Sequence, residues 1–269
     1  MTYFVLEIIA YLTMLIDHIA AGILVSYMNS TSYNGLILGC DGETVYSTLR
    51  IIGRIAFIIF GYNIAVGMVN TSDRRKYLFR LFCFAIISEV PFDIGLNNAF
   101  FAFDSQNVGF TLFIGASLIY VYDCLKGKIF LQIAAIVIAI VLAVMLKVDY
   151  SCAGVIMIFL MYILRDSFVK MAIISMAVFL ALIILDNTFD LVLKFSHYLD
   201  SFSDFVGLLK DIAAWYMNSE LYGVIAFIPI YAQKQAQKEG RHIPRMVKYS
   251  FYPVHLIVLG IINYCIFGW

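Results

Sequence analysis

Long apolar runs separated by short polar connections occupy almost the whole chain. A helix needs about 20 mostly apolar residues to cross a bilayer, and nine segments approach that length. We therefore expect an all-α polytopic membrane protein with about nine transmembrane helices, eight to ten being the range, packed in one bundle. The predicted spans are 4–27, 49–69, 78–96, 108–125, 129–146, 150–165, 168–186, 219–233 and 249–268.

A longer mixed stretch, 187–218, separates the seventh span from the eighth. It alternates large apolar residues with Asp, Lys and Ser, which is typical of an amphipathic segment at the membrane interface. A re-entrant hairpin is the alternative. Because no repeat, low-complexity tract or soluble segment interrupts this pattern, residues 1–269 are predicted to form a single integral-membrane domain.

The composition supports a membrane protein and narrows the chemistry. The chain is 63% hydrophobic and 13% charged, with a mean hydropathy of +0.92. The formal net charge is zero, so the composition gives no reason to expect a nucleic-acid partner. The five cysteines lack the spacing of zinc sites, and we predict buried thiols and no metal.

Basic residues predict how the chain is oriented in the membrane. Most of them lie in four connections, which fall on the same side when there are nine spans, and basic connections usually face the cytoplasm. We therefore expect a bacterial-type cytoplasmic membrane protein with its N-terminus in the cytoplasm and its C-terminus outside. The basic residues of these connections are Arg74, Arg75, Lys76 and Arg80; Lys126 and Lys128; Arg165 and Lys170; and Lys234, Lys238, Arg241, Arg245 and Lys248.

Ionisable residues also lie inside three consecutive spans. Charged groups at membrane depth are costly and usually face a bundle interior or a wet cavity. With about 1.5 Å of rise per residue, the predicted topology places them all in the outer half of the bilayer. They are Asp17, His18, Arg50, Arg54, Glu89 and Asp93, and Gln106 and Asn107 join them at the start of the fourth span.

The charged pairs of the second and third spans can compensate each other. Arg50 and Arg54 are four residues apart, as are Glu89 and Asp93, so each pair shares a helix face. A buried structural ion pair between Arg54 and one of the two carboxylates is one reading. Arg50 could also extend to the interface without any partner.

Two histidines stand out within the spans. We expect a functional role for His18, because it lies too deep to reach a helix end, whereas Asp17 points about 100° away and could serve another partner. In the last span, Pro253 removes a backbone donor and bends the helix between Tyr252 and His255. We expect His255 on the cytoplasmic side of His18, with a packed imidazole at a proline kink as the alternative.

Five stretches, in this order, carry a family resemblance: LTMLIDHIA at 12–20, LRIIGRIAFIIFGY at 49–62, RRKYLFRLFCFAIISEVPFDI at 74–94, QNVGFTL at 106–112 and YPVHLIVL at 252–259. With them the chain resembles the TraX family along most of its length, less so in the middle. The named member of that family acts in N-terminal acetylation of conjugative pilin. TraX proteins are similar in turn to a broader class of multi-helix membrane acyltransferases.

The resemblance implies transfer of an acetyl group from cytosolic acetyl-CoA to an amine or hydroxyl at the outer face. The acceptor would be a peptide or a carbohydrate, in a membrane-lipid setting. The resemblance makes His18 the catalytic base, and it places Tyr252 and His255 near the path of the acyl donor. It groups Asp17, Arg54, Glu89, Asp93, Gln106 and Asn107 around His18. Our predicted catalytic residues beside His18 are Asp17, Glu89 and Asp93, and those near the substrate and the oxyanion are Arg50, Arg54, Gln106 and Asn107.

The residue types suit this chemistry. An acceptor must lose a proton as it attacks a thioester, and neutral imidazole serves as a base near pH 7. Carboxylates could hold the ring or an ammonium group, and arginine or amide donors could stabilise the oxyanion. Arg74 and Arg75 could bind the CoA phosphates, although a solvated loop is the alternative for these two.

Two other classes of function stay open. A proton-coupled transporter also places ionisable residues at the midplane, and a structural component of an export or pilus system needs no chemistry at all. Small residues at Gly53, Gly61 and Gly67 allow close helix packing within one chain or in an oligomer. The sequence alone does not name the acceptor.

Overall fold

The computed structural model describes residues 1–30, 33–195, 206–207, 210, 220–236 and 243–268. For residues 187–195 it describes the backbone alone. The prediction of an all-α polytopic membrane protein is confirmed. Helices account for nearly all of the described secondary structure. The strands in these ranges are two short antiparallel ones, β1 (Leu36–Ile37) and β2 (Cys40–Asp41).

The described part of the chain contains nine α-helices, which match the predicted spans in order. A 3₁₀ turn, Leu221–Ala226, leads into the eighth. Helices α2, α3 and α9 begin four to seven residues earlier than predicted, and aspartate side chains cap the first two at Asp41 and Asp73. The helices are α1 (Tyr3–Met28), α2 (Gly42–Asn70), α3 (Arg74–Leu96), α4 (Val108–Cys124), α5 (Ile129–Met145), α6 (Ser151–Ile163), α7 (Phe168–Phe195), α8 (Phe227–Ala236) and α9 (Arg245–Phe267).

Among the residues that the structure describes, four helical segments are long and apolar enough to cross a membrane: Tyr3–Met28, Gly42–Asn70, Phe168–Asp186 and Arg245–Phe267. Helices α4, α5 and α6 are apolar but shorter. Large apolar side chains lie on the outside of the bundle, among them Phe130 at 84% exposure. Such a surface is stable against lipid and not against water.

The predicted interfacial segment 187–218 is only partly described. Its first part is a continuation of α7, which runs on to Phe195, so the seventh predicted span and the start of this segment form one continuous helix. Most of the remaining segment lies outside the described residues, and the prediction of an interfacial helix there stays open.

Contacts between the four basic connections place them at one end of the bundle, which we call the basic end. The Met1 amino group donates to the Ala232 carbonyl (3.3 Å), and the Lys234 ammonium donates to the Arg165 carbonyl (3.1 Å). Arg74 pairs with Asp123 at 2.6 Å, and Lys248 pairs with Glu7. At the opposite end the Gln106 N–H donates to the Lys147 carbonyl at 3.0 Å. The shared side that we predicted for the basic connections fits this arrangement, whereas the membrane face to which it belongs stays a prediction.

Helices α1, α3 and α9 cross at very short distances because glycines lie at the crossing points. A Cβ atom at Gly22 would lie 2.8 Å from the Gly95 carbonyl oxygen, and one at Gly95 would lie 2.7 Å from the Leu256 carbonyl oxygen. Each neighbour is rigid backbone, so a side chain at either position would push two helices apart. The crossing holds together the three helices that carry the candidate site.

Helix α1 contains one π turn, Ala20–Leu24, immediately after its histidine-containing turn. The Val25 N–H donates to the Ala20 carbonyl, five residues back. Such turns contain one extra residue and are frequent at functional sites. This turn contains Gly22 and so lies at the glycine crossing.

Candidate active site

Two imidazole rings face each other at the centre of the α1–α9 contact. His18 Nδ1 lies 2.6 Å from His255 Nε2, and the two rings are parallel within 2°, with centroids 4.9 Å apart. Both residues are buried, at 9% and 8% exposure. The predicted position of His255, closer to the cytoplasm than His18, is wrong, because the helices cross so that the two rings meet side by side.

A backbone carbonyl determines which nitrogens of this histidine pair carry protons. His255 Nδ1 lies 2.7 Å from the Phe251 carbonyl oxygen, which can only accept, so Nδ1 must carry a proton. In the neutral ring Nε2 of His255 is then the acceptor, and His18 Nδ1–H donates to it. The tautomer that satisfies both contacts leaves Nε2 of His18 with a free lone pair. His18 is thereby oriented as a base.

Aromatic rings of α9 enclose the histidine pair. Tyr252 is 3% exposed and packs edge-on against His18 and His255, with centroid distances of 5.6 Å to both. Phe251 stacks on His255 at 5.1 Å. Tyr252 also interacts electrostatically with Glu89 and has the Val108 N–H directed at its hydroxyl. This tyrosine therefore links the histidine pair to the start of α4.

The carboxylate next to His18 serves a different partner. Asp17 forms an ion pair with Arg50 at 2.6 Å, which confirms that it points away from the imidazole of its neighbour. A Cβ atom at Gly53 would overlap the Asp17 carboxylate, so this glycine makes room for the ion pair. Arg50 does not extend to the interface, and it is also close enough to His18 to interact with it electrostatically.

The side chain of Arg54 contacts two residues that were not among the predicted site residues. Its Nε lies 2.8 Å from Glu220 Oε1, and its Nη1 donates to the Tyr150 hydroxyl at 3.4 Å. The predicted compensation of Arg54 by Glu89 or Asp93 is therefore wrong. Glu220 supplies the carboxylate because the turn before α8 packs against α2.

Asp149 completes this charged cluster, which consists of Asp17, Arg50, Arg54, Asp149, Tyr150 and Glu220. It lies in the connection between α5 and α6 and interacts electrostatically with both arginines and with Asp17. Burial raises the pKa of Asp149 to about 6, although the two arginines act in the opposite direction. The cluster brings three carboxyl groups to two guanidinium groups.

Glu89 and Asn107 connect α3 to the start of α4. One carboxylate oxygen of Glu89 accepts from the Asn107 N–H at 3.2 Å and from the Asn107 amide group. The same amide group donates to the Ala85 carbonyl at 2.8 Å, and its oxygen caps Gly109. Asn107 thus has no free donor for the oxyanion role that was predicted for it.

Asp93 and Gln106 hold loops in place and have no described contact with His18. The Asp93 carboxylate accepts from the Asn97 amide at 3.1 Å and from the Ala102 N–H at 2.8 Å. The backbone of Gln106 pairs with the 147–149 connection, donating to Lys147 and accepting from the Asp149 N–H at 3.0 Å. Their predicted catalytic and oxyanion roles stay predictions that no contact supports.

Some buried polar atoms near the histidine pair have no hydrogen-bond partner among the described residues. They include Ser88 Oγ, Glu89 Oε1 and Asp17 Oδ1. Ser88 is completely buried, and it lies one turn from Phe84, whose ring contacts Tyr252 at 5.6 Å. Unsatisfied buried polar groups are expensive, so each of these atoms is a candidate contact for a polar ligand.

Arg74 and Arg75, predicted to bind the CoA phosphates, have partners on α4. Arg74 pairs with Asp123 at 2.6 Å, and Arg75 donates to the Tyr120 hydroxyl at 3.0 Å. Both lie at the basic end, away from the histidine pair. Across the part of the chain that the structure describes, no group of three His, Cys, Asp or Glu residues could hold a metal ion.

The sequence model of the TraX protein family matches residues 4–263, nearly the full length. The chain belongs to the TraX family. A search of curated proteins found no match, and neither did a search of solved structures. Membership in the family therefore rests on the match to its sequence model.

Four residues of the site were missed in the sequence: Ser88, Asp149, Tyr150 and Glu220. Asp149 lies in the short break between two predicted spans, Tyr150 is the first residue of the next span, and Glu220 lies at the start of the weakest span. A signal did exist, because the predicted topology places both segments on the same side as Arg54. A search for carboxylates at the depth of that arginine would have found them. Nothing in the sequence marks Ser88.

Proposed function

We propose that this TraX protein is a membrane-embedded acetyltransferase with His18 as its general base. It moves an acetyl group from cytosolic acetyl-CoA to an amine or hydroxyl acceptor presented at the outer face. The N-terminal amine of a pilin-like or other exported peptide is one such acceptor. The observation that carries the proposal is the histidine pair, in which the Phe251 carbonyl and His255 leave Nε2 of His18 unprotonated inside the bundle.

The reaction follows from this arrangement. The acceptor's nitrogen or oxygen attacks the thioester carbonyl carbon, and Nε2 of His18 takes the proton that the acceptor loses. The C–S bond then breaks, and the thiolate of CoA leaves with that proton. The new amide or ester and free CoA are the products. During proton transfer His255 accepts from the imidazolium through the 2.6 Å contact and stabilises its charge.

Two charged groups suit the other requirements of acyl transfer. Arg50 interacts with His18 and uses Nη1 for Asp17, so it is the guanidinium best placed to stabilise the oxyanion. Glu89 has one buried oxygen without a partner among the described residues, and that oxygen can receive an acceptor ammonium. Arg54, by contrast, pairs with Glu220 and donates to Tyr150. We therefore assign the oxyanion role that was predicted for Arg54 to Arg50.

The test uses purified protein in detergent, radiolabelled acetyl-CoA, and three acceptors: a peptide with a free N-terminus, the same peptide with a blocked N-terminus, and an amino sugar. Wild type should bind acetyl-CoA and release CoA thiol, whereas His18→Ala should bind but not react. Absence of acetyl-CoA binding by the wild type would overturn the proposal. A solute flux in proteoliposomes that His18→Ala abolishes would favour a transporter instead.

A further inference from the structure

An open groove runs along the outside of the bundle between α3 and α9. Its volume is about 250 Å³, and its walls are almost entirely apolar. We call it the lateral groove, and it is lined by Phe79, Arg80, Cys83, Phe84, Ile87 and Tyr249. Its lining suits a largely apolar ligand, and its open side lets such a ligand enter from outside the bundle.

One end of the lateral groove carries a cation without an acidic partner in the described ranges. Nε of Arg80 is buried and has no hydrogen-bond acceptor there, and its guanidinium lies 5.8 Å from the Tyr77 ring. Arg74 and Arg75, about one and a half turns earlier, are occupied by Asp123 and Tyr120. An anionic group at this end of the groove would therefore find Arg80 available, with further positive charge nearby.

The inner wall of the groove is one aromatic layer away from the histidine pair. The Phe84 ring contacts Tyr249 at 5.8 Å and Tyr252 at 5.6 Å, and Tyr252 contacts His18. From Arg80 to Ser88, α3 rises by about 12 Å. A ligand anchored on Arg80 would thus reach the level of the unpaired Ser88 hydroxyl along one helix face.

The proline of α9 leaves one backbone carbonyl of a groove-lining residue without its helical donor. Pro253 has no N–H, so the Tyr249 carbonyl, four residues before it, lacks its helical donor. Tyr249 lines the lateral groove. An amide N–H of a bound ligand could donate to that carbonyl without displacing any helical hydrogen bond.

We propose that the lateral groove holds the pantetheine arm of the acyl-CoA donor, with the donor's phosphates on Arg80 and the thioester directed past Phe84 towards His18. The match is one of chemistry: an anionic head at the arginine, a thin arm with amide groups along an apolar wall, and a reactive end at the histidine pair. This inference rests on the proposed function, because it supplies the path for the donor of that reaction.

A comparison of two donors tests the head contact. Acetyl-CoA carries the phosphates, whereas acetyl-pantetheine lacks them. Arg80→Gln should raise KM for acetyl-CoA by about 10-fold to 100-fold, the value of a charge-assisted contact, and leave KM for acetyl-pantetheine and both kcat values unchanged. Lys76→Gln, at an exposed residue of the same helix end, is the matched control and should change neither KM.

Cys83 gives a second measurement that needs no turnover. It is the half-buried thiol of the groove, and a chain in which the other four cysteines are replaced can be labelled there with a maleimide. Bound CoA should slow the labelling of Cys83, and Arg80→Gln should restore it. Protection by added phospholipid and not by CoA would overturn the inference and identify the groove as a lipid site.

The two proposals fail in different ways. If His18→Ala abolishes turnover while Arg80→Gln leaves KM for acetyl-CoA unchanged, the groove assignment is wrong and the acetyltransferase stands. If the variant raises KM for both donors equally, the phosphate contact is wrong. If His18→Ala retains full turnover with either donor, the proposed function itself is wrong.

Discussion

Replacing His255 by phenylalanine is the sharpest test of the histidine pair. The phenyl ring retains the stacking against His18 and the contact with Phe251 but offers no acceptor to Nδ1 of His18. When His18 becomes an imidazolium, that N–H is left buried without a partner. A hydrogen bond to a charged group contributes about 1.5–3 kcal/mol, so kcat should fall about 10-fold to 150-fold. KM for acetyl-CoA should stay near its wild-type value.

The assay is steady-state release of CoA thiol over a series of pH values, with His255→Gln as the conservative variant. Its side-chain oxygen can accept from His18 and should restore part of kcat. Asn263→Ala is the control on the same helix, because it removes contacts to Ser26 and Asn98 at 2.8 and 2.7 Å without touching the pair. An unchanged kcat in His255→Phe would show that His18 needs no acceptor at Nδ1 during the reaction. A raised KM for acetyl-CoA with a normal kcat would instead indicate that His255 lies near the path of the acyl donor, as the resemblance implies.

Three further predictions concern stability and pH. Glu220→Gln leaves the Arg54 guanidinium buried without its carboxylate, which should lower the free energy of unfolding by about 3–5 kcal/mol in thermal denaturation followed by circular dichroism. Gly95→Ala places a Cβ against the Leu256 carbonyl, which should cost about 1–3 kcal/mol and lower kcat as α3 and α9 separate. Burial raises the pKa of Asp149 to about 6, so the folded chain holds this proton more tightly than the unfolded chain. Its contribution to stability should be full below about pH 4 and lost as pH rises through 6, and Asp149→Asn should remove that dependence.

Each of these has a matched control. Lys76→Met breaks an exposed ion pair with Asp73 and should change stability by at most about 1 kcal/mol; an equal effect at Glu220 would contradict the buried-charge argument. A Cβ atom at Gly61 meets side-chain atoms alone, those of Ile158 at 3.2 Å and Met161 at 3.9 Å. A loss of stability in Gly61→Ala as large as that in Gly95→Ala would therefore contradict a rigid backbone crossing at Gly95. A pH dependence that persists in Asp149→Asn would assign it to another group.

Much of the fold could be predicted because lipid constrains the sequence strongly. Each span must satisfy its backbone internally and present apolar side chains outwards, so the helices of the described residues match the predicted spans in order. Boundaries were harder to predict. Polar capping groups such as Asp41 and Asp73 extend α2 and α3 beyond the apolar residues that define a span.

The site was predicted in its residue types and only partly in its contacts. Depth along a helix can be counted, so Asp17, His18, Arg50 and Arg54 were rightly placed together. The contacts between helices cannot be derived by counting residues, because they depend on close crossings such as the one at Gly95. The partner of Arg54 and the meeting of His18 with His255 both follow from those crossings.

The π turn of α1 gives its two halves separate registers. The half before the turn carries Asp17 and His18, held by Arg50 and His255, and the half after it carries Ser26, which accepts from Asn263 at 2.8 Å. Because the turn holds one residue more than an α-helical turn, loss of one residue from Ala20–Leu24 would convert it to regular α-helix and keep Ser26 and His18 in their present orientations. The π turn is therefore the place in α1 where the chain can lose a residue without separating His18 from His255 or Ser26 from Asn263.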